Sequence, residues 1–296
     1  MLLPILLFAA EACNFTVAFH RPDENGTRKV PVYAAKSEPR SGGTEPLAFV
    51  SSLKVNTDGT RISYKADDPR AVNGAINHIQ NAMRSGARLA DFERLAANNW
   101  EPVDETWKVL SSSVIEKDTK LRKDNKPCMT ADKFLVSKTA DVAVAGGFNR
   151  EGDCDQKKWI DALTIPALVV PGGSEFQTRN AKTRSFVVAM TLGSPRRFAF
   201  GIIGDTGPTN EIGEASVEMN RMLNGLPAGS IPANRKDAVA RFQGPRSIVL
   251  IFPGPANRLA HPITPERVLT EVKSRFDAWG GEARLTGCLA EIPETQ

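Results

Sequence analysis

The sequence predicts an α+β fold, a β-barrel-rich core with helices inserted in its loops. Three observations carry that expectation. Short apolar runs recur in distant parts of the chain, at Leu47 to Val55, Ile165 to Pro171, Ser185 to Leu192, Phe198 to Ile203 and Ser247 to Phe252. Runs of this length bounded by turn residues read as half-buried or buried strands. Helical spacing falls between or after them, as at Ala215 to Leu223 and Glu266 to Trp279. Several short strands drawn from far apart suggest closure on themselves. At 296 residues, with 41% hydrophobic and 24% charged content, the chain can bury a sizeable core. Mean hydropathy is −0.27, and no apolar run approaches the ~18 residues of a spanning helix.

Met1 to Ala12 (MLLPILLFAAEA) has an apolar core of signal-peptide length, and Ala10-Glu11-Ala12 fits a small-x-small cleavage site. No Lys or Arg precedes the run, so a first strand is the alternative. Export, to a secreted or periplasmic location, would put Cys13, Cys128, Cys154 and Cys288 in an oxidising compartment, with two disulfides in one of three pairings. Cys128 with Cys154 is favoured because it would staple an insertion at about 98–163. Four buried thiols is the reading if the chain stays in the cytosol.

Residues 13–45 read as an N-terminal extension, turn-rich, with a short strand near Val30 to Ala34. One domain is expected over 46–296. It opens with a hairpin, Leu47 to Val55 and Arg61 to Tyr64, turning at Asn56-Thr57-Asp58-Gly59. Helices are expected over Pro69 to Met83, with His78 on the polar side, and over Leu89 to Leu95. Trp100 and Trp107 are either sugar-stacking rings or plugs over a core. The Lys117 to Lys126 cluster reads as solvated surface. A strand over Phe134 to Ala145 and a short helix from Gly152 through Leu163 follow. Ser185 to Leu192 and Arg196 to Ile203 form a hairpin through Gly193-Ser194-Pro195. Thr264 caps the last helix, Pro265 is its first residue, and Gly280-Gly281 stops it.

The chemistry concentrates in Phe198 to Leu226. Asp205 lies at the exit of a buried strand, Thr206-Gly207-Pro208 turns the chain, and Glu214 lies at or just before a helix start, with Ser216 as a helix-start hydroxyl. Two acids bracketing a loop of small residues can divide acid and base roles. A turn-forming Asp and a helix-favouring Glu are the plain alternative. No H-E-x-x-H, phosphate loop, G-x-S-x-G or C-x-x-C motif occurs, and neither cofactor nor metal is called for. Basic residues without interleaved aromatics argue against nucleic acid.

Gly204-Asp205-Thr206-Gly207-Pro208 followed by Ile212-Gly213-Glu214-Ala215-Ser216 resembles the signature of glycoside hydrolase family 75, the fungal-type chitosanases and their bacterial relatives. Ile165 to Pro171, and Asp58-Gly59 with Tyr64 and Asp67-Asp68-Pro69, are similar to further family segments in the same order. The inter-acid loop is shorter here, and Lys65 stands where the family often has His. The resemblance implies endo-hydrolysis of β-1,4 linkages in chitosan or a related amino-sugar polymer, with inversion, and carries the catalytic roles to Asp205 and Glu214. Glu214 is the expected acid and Asp205 the base, an assignment open to reversal. Asp58, Tyr64 and Thr206 are the expected substrate contacts. The strand–Asp-Thr-Gly pattern also looks like double-psi barrels. A monomer without stable membrane insertion is expected. A net charge of +4 is at odds with a cationic polymer. A peptidoglycan-cleaving muramidase or lytic transglycosylase, and a non-catalytic polysaccharide-binding module, are the alternatives.

Overall fold

The computed structural model describes residues 13–35, 45–101, 109–118, 126–147, 154–207 and 210–292. The expected signal segment, Trp107, Gly152 and part of the Lys117 to Lys126 cluster lie outside the described residues.

The strands are β1 (Phe15–Pro22), β2 (Lys29–Ala35), β3 (Leu47–Asn56), β4 (Tyr64–Lys65), β5 (Phe134–Leu135), β6 (Ala167–Pro171), β7 (Phe186–Thr191), β8 (Phe198–Gly207), β9 (Glu214–Ser216) and β10 (Gly244–Phe252). The helices are α1 (Leu89–Ala97), α2 (Glu175–Thr178), α3 (Val217–Asn224), α4 (Arg235–Phe242), α5 (Pro265–Trp279) and α6 (Gly281–Cys288). The main sheet runs β1-β2-β3-β10-β7-β8-β6-β9, and β9 pairs back to β3. The six strands from β3 to β9 thus form a closed barrel, with β1 and β2 as a ribbon on its outside edge. Pairs β6–β8 and β3–β9 are parallel; the other barrel pairs are antiparallel.

Side-chain alternation gives the barrel an inside and an outside. Every barrel strand sends residues into one buried cluster, among them Phe49, Leu168, Val187, Ile203, Ala215 and Val249, and Met219 and Leu223 of α3 close its end. The alternate residues Val188, Met190, Ile248 and Leu250 face outward under Val268, Val272 and Phe276 of α5. Each such side chain contributes about 1.5–3 kcal/mol on burial. Thr264 Oγ1 accepts the Arg267 N–H and Pro265 opens α5, as the sequence predicts. Two disulfides, Cys128–Cys154 and Cys13–Cys288, are present. The second ties the N-terminal ribbon to α6, and Glu291 accepts the Cys13 and Phe15 N–H groups beside it. Closing a loop of 26 residues, as Cys128–Cys154 does, stabilises by about 3–4 kcal/mol.

Residues between β3 and β6 build a small lobe with its own core, including Tyr64, Ile79, Phe92, Trp100 and Leu135. Here several expectations fail for local reasons. The predicted hairpin does not form: β3 ends at Asn56, and β4 pairs instead with β5 of the lobe. The Asp58 N–H bonds the Asn56 side chain at 3.0 Å. At Gly59 φ is +85°, and a Cβ there would collide with the Ile160 carbonyl. Pro69 to Met83 is not a helix. The Asp68 carboxylate accepts the N–H groups of Val72, Asn73 and Ala75, leaving a single 3-10 turn at Ile79–Ala82. Side-chain capture of backbone donors competes with helix in this way. The strand expected through Ala145 stops at Leu135, and the described part of the Gly152–Leu163 helix reduces to a 3-10 turn at Gln156–Lys158. Conversely, β8 continues past Gly204 to Gly207, and Glu214 begins a three-residue strand rather than a helix.

Among the described residues no helix is long and apolar enough to cross a membrane.

Candidate active site

Sheet register brings the acids together. On β8, Ile203 pairs with Leu168 of β6, and Asp205 pairs with the next residue, Val169. Gly204 is therefore the extra residue of a β-bulge. A bulge re-aims the residues after it. Ile203 points into the barrel, so strict alternation would send Asp205 inward as well, among apolar side chains. The bulge turns it outward. Only glycine fits there, since a Cβ at 204 would lie 2.6 Å from the Ala167 Cβ.

Val169 is also registered opposite Glu214 of β9, and Glu214 opposite Lys54 of β3. Asp205, Val169, Glu214 and Lys54 thus form one row across the outer face. Residues in register share a face. At a strand spacing of about 4.8 Å the two acids stand about 10 Å apart at Cα, with Val169 as the floor between them. Ser216 fixes this row from behind. Its hydroxyl donates to the Ile165 carbonyl at 2.9 Å, accepts the Ala167 N–H at 2.9 Å, and caps α3 by accepting the Met219 N–H at 3.1 Å.

The lobe supplies the other wall. Asp58, just beyond β3, accepts a 2.6 Å hydrogen bond from the Tyr64 hydroxyl, and a longer one at 3.4 Å from Ser137, both at Oδ1. The Ser137 hydroxyl in turn accepts the Gly59 N–H, and Gln156 clamps the Gly59 and Ser137 carbonyls. Ala140 donates its N–H to Asp205 Oδ1 at 2.7 Å, and the Thr206 N–H reaches the same oxygen at 2.8 Å. Among the described residues, both hydrogen bonds to the Asp205 carboxyl go to Oδ1 and none to Oδ2. A cavity of about 10 Å³ lies between Asp58, Asp205, Val169 and Thr139, about the room one water needs.

Asp58, Asp205 and Glu214 are each partly buried residues. Burial pushes Asp205 up from 3.8 to about 8, and the neighbouring Asp58 charge pushes in the same direction against its two backbone N–H bonds. Burial likewise lifts Asp58 to about 7, with the Tyr64 bond opposing and Glu214 adding. Glu214 is also raised by burial, but Lys54 and an Asn56 side-chain bond favour its anion. One face therefore carries a carboxyl held protonated at neutral pH and another with a cation at its side. That is the division acid–base catalysis uses.

The sequence-predicted residues Asp58, Asp205, Thr206 and Glu214 converge here. Tyr64 reaches the site differently from expectation: it is fully buried, so it positions Asp58 rather than offering a surface to substrate. Trp100 is buried 5.6 Å from the Phe92 ring and is a core plug, not a stacking platform. Lys54, Asn56, Ser137 and Ala140 were not expected at the site. Asn56 had a signal in its spacing from Asp58, since Asn bonds backbone two residues on. Ser137 and Ala140 had none, because the lobe brings them to Asp58 and Asp205 across 79 and 65 residues respectively.

No protein-family model matches the chain, and no curated protein matches it.

Proposed function

We propose that this protein is an inverting glycoside hydrolase of the chitosanase kind, cleaving β-1,4 linkages in an amino-sugar polymer. The observation that carries the reading is the row Asp205–Val169–Glu214–Lys54. Inversion needs carboxyl groups ~6.5–9.5 Å apart, one as acid and one as base. Two acids on strands flanking a third, about 10 Å apart at Cα, have side chains long enough to bring their carboxyls within that range. The surroundings support the reverse of the assignment expected from sequence. Asp205, raised to about 8, is the acid, and its proton sits on Oδ2 because Oδ1 already accepts two N–H groups. Glu214, beside Lys54, is the base. Asp205 protonates the glycosidic oxygen as the C–O bond breaks. Glu214 takes a proton from the water that bonds to the anomeric carbon from the opposite face. Solvent then restores both protonation states. Asp58, when ionised, favours the proton on Asp205.

The six-stranded barrel with two parallel pairings is read here as double-psi-like. Two disulfides favour an oxidising compartment outside the cytosol. The +4 net charge favours a carboxylate-bearing polymer such as peptidoglycan as a second reading. The test is reducing-end release from chitosan, colloidal chitin and cell-wall sacculi by the protein and its Asp205→Asn and Glu214→Gln variants. Each variant is expected to stay folded and lose about 10²–10⁴-fold in turnover. A folded Asp205→Asn protein with near-normal activity ends the assignment.

A further inference from the structure

A second pocket, of about 410 Å³, lies between the turn after β4 and the start of α4, lined by Arg70, Val72, His78, Arg235, Lys236 and Val239. That volume is in the range of small-ligand sites. Its charge is one-sided. The side chains of Arg70 and Lys236 make neither hydrogen bond nor ion pair among the described residues. The nearby acids are turned to other work: Asp68 holds three backbone N–H groups, and Asp237 pairs with Arg241 and the Ala233 N–H. Arg70, Arg235 and Lys236 place three cationic side chains around one space, and His78 beside them is pushed down by burial and then by Arg235 and Arg70. Val72 and Val239, 61% and 49% exposed, supply an apolar rim. The pocket is also joined to the acids. Arg235 Nη1 donates to Asn77 Oδ1 at 2.8 Å, Asn77 Nδ2 donates to the Tyr64 hydroxyl at 3.0 Å, and that hydroxyl donates to Asp58.

We propose that this pocket binds a carboxylate with a short apolar stem, carried as a side group on the amino-sugar polymer. The proposal rests on the glycan reading of the acid site. Arg70 and Lys236 supply the charge, with Arg70 suited to bidentate pairing. The valines meet the stem, and Arg235 reports occupancy to Asp58 through Asn77 and Tyr64.

Calorimetric titration of the full chain carrying Asp205→Asn tests this without turnover. The probes are N-acetylalanine, a chitosan oligosaccharide and the same oligosaccharide N-succinylated. The succinylated oligomer is expected to bind at least tenfold tighter than the unmodified one, and N-acetylalanine to compete with it. Adding Arg70→Gln and Lys236→Gln, both at surface positions, should erase the tenfold difference. Equal binding of the two oligomers, or a difference that survives in the double variant, overturns the pocket assignment. Binding of N-acetylalanine that the double variant loses, with neither oligomer bound, keeps a carboxylate site but removes the polymer as its source and the glycan reading with it.

Discussion

Replacing Asp205 with Asn should make the folded protein more stable while removing its activity. In the folded chain burial holds the Asp205 pKa at about 8, against 3.8 for an ordinary carboxyl. Between those values the folded state keeps a proton that the unfolded state has released. Stability is therefore highest below pH 3.8 and falls as pH rises towards 8. At 1.36 kcal/mol per pH unit, the deficit at pH 7 has a ceiling of about 4 kcal/mol. Asp205 is a partly exposed residue, so solvent screening brings the expected effect below that ceiling, to about 2 kcal/mol. Asn is neutral at every pH, and its amide oxygen can accept the Ala140 and Thr206 N–H groups as Oδ1 does. With an unfolding entropy of about 2.1 cal/mol/K per residue, 2–4 kcal/mol becomes a rise of about 3–7 °C in Tm. Differential scanning calorimetry of both proteins at pH 4, 6 and 8 measures it. The gap should be near zero at pH 4 and widen by pH 8. A gap that does not change with pH, or a variant less stable at pH 8, refutes the argument that the fold holds this carboxyl protonated.

Two further predictions follow from the supports of the site. Tyr64→Phe removes the 2.6 Å bond that holds Asp58 down; a charged hydrogen bond of about 1.5–3 kcal/mol moves the Asp58 pKa up by about one to two pH units. A neutral Asp58 no longer keeps the proton on Asp205, so the alkaline limb of kcat/KM should move to lower pH, and an unmoved limb would separate Asp58 from the acid. Ser216→Ala removes an N-cap and leaves the Ile165 carbonyl and the Ala167 N–H without their bond; urea unfolding should report a loss of about 2–4 kcal/mol, and a loss below about 0.5 kcal/mol would deny the serine its bracing role.

The barrel was legible because most of its strands are continuous apolar runs bounded by turn residues. Ile165 to Pro171, Ser185 to Leu192 and Ser247 to Phe252 contain β6 and β7 and most of β10. The Thr264-Pro265 start of α5 was legible for the same reason: a cap is a local device. The Cys128–Cys154 bond was anticipated from its place across the insertion. The lobe was not legible. Pro69 to Met83 has helical spacing, but Asp68 takes three of its N–H groups, and spacing carries no record of a side chain that caps backward. Asp-Gly at 58–59 signals a hairpin, yet Gly59 is there for its left-handed φ and for close passage against Ile160. The start of α4 is marked in the sequence by Asn234, whose side chain accepts the Asp237 N–H.

The acids themselves were visible as a strand-end Asp and a helix-start Glu; what gives them different surroundings was not. Neighbours decide which of two carboxyls keeps its proton, and here each neighbour comes from a different depth of the chain. Glu214 sits opposite Lys54 because β9 closes the barrel on β3, a pairing between residues 160 positions apart. Asp205 sits on the same face because one glycine bulges β8, and it meets Asp58 and Ala140 because the lobe folds over that face. Barrel closure without the lobe would leave two solvated acids with similar pKa values. The lobe without the bulge would cover a face that Asp205 does not reach. The asymmetry needed for acid–base work arises where the two meet, so variants that loosen the lobe from the barrel should equalise the two carboxyls before they unfold either part.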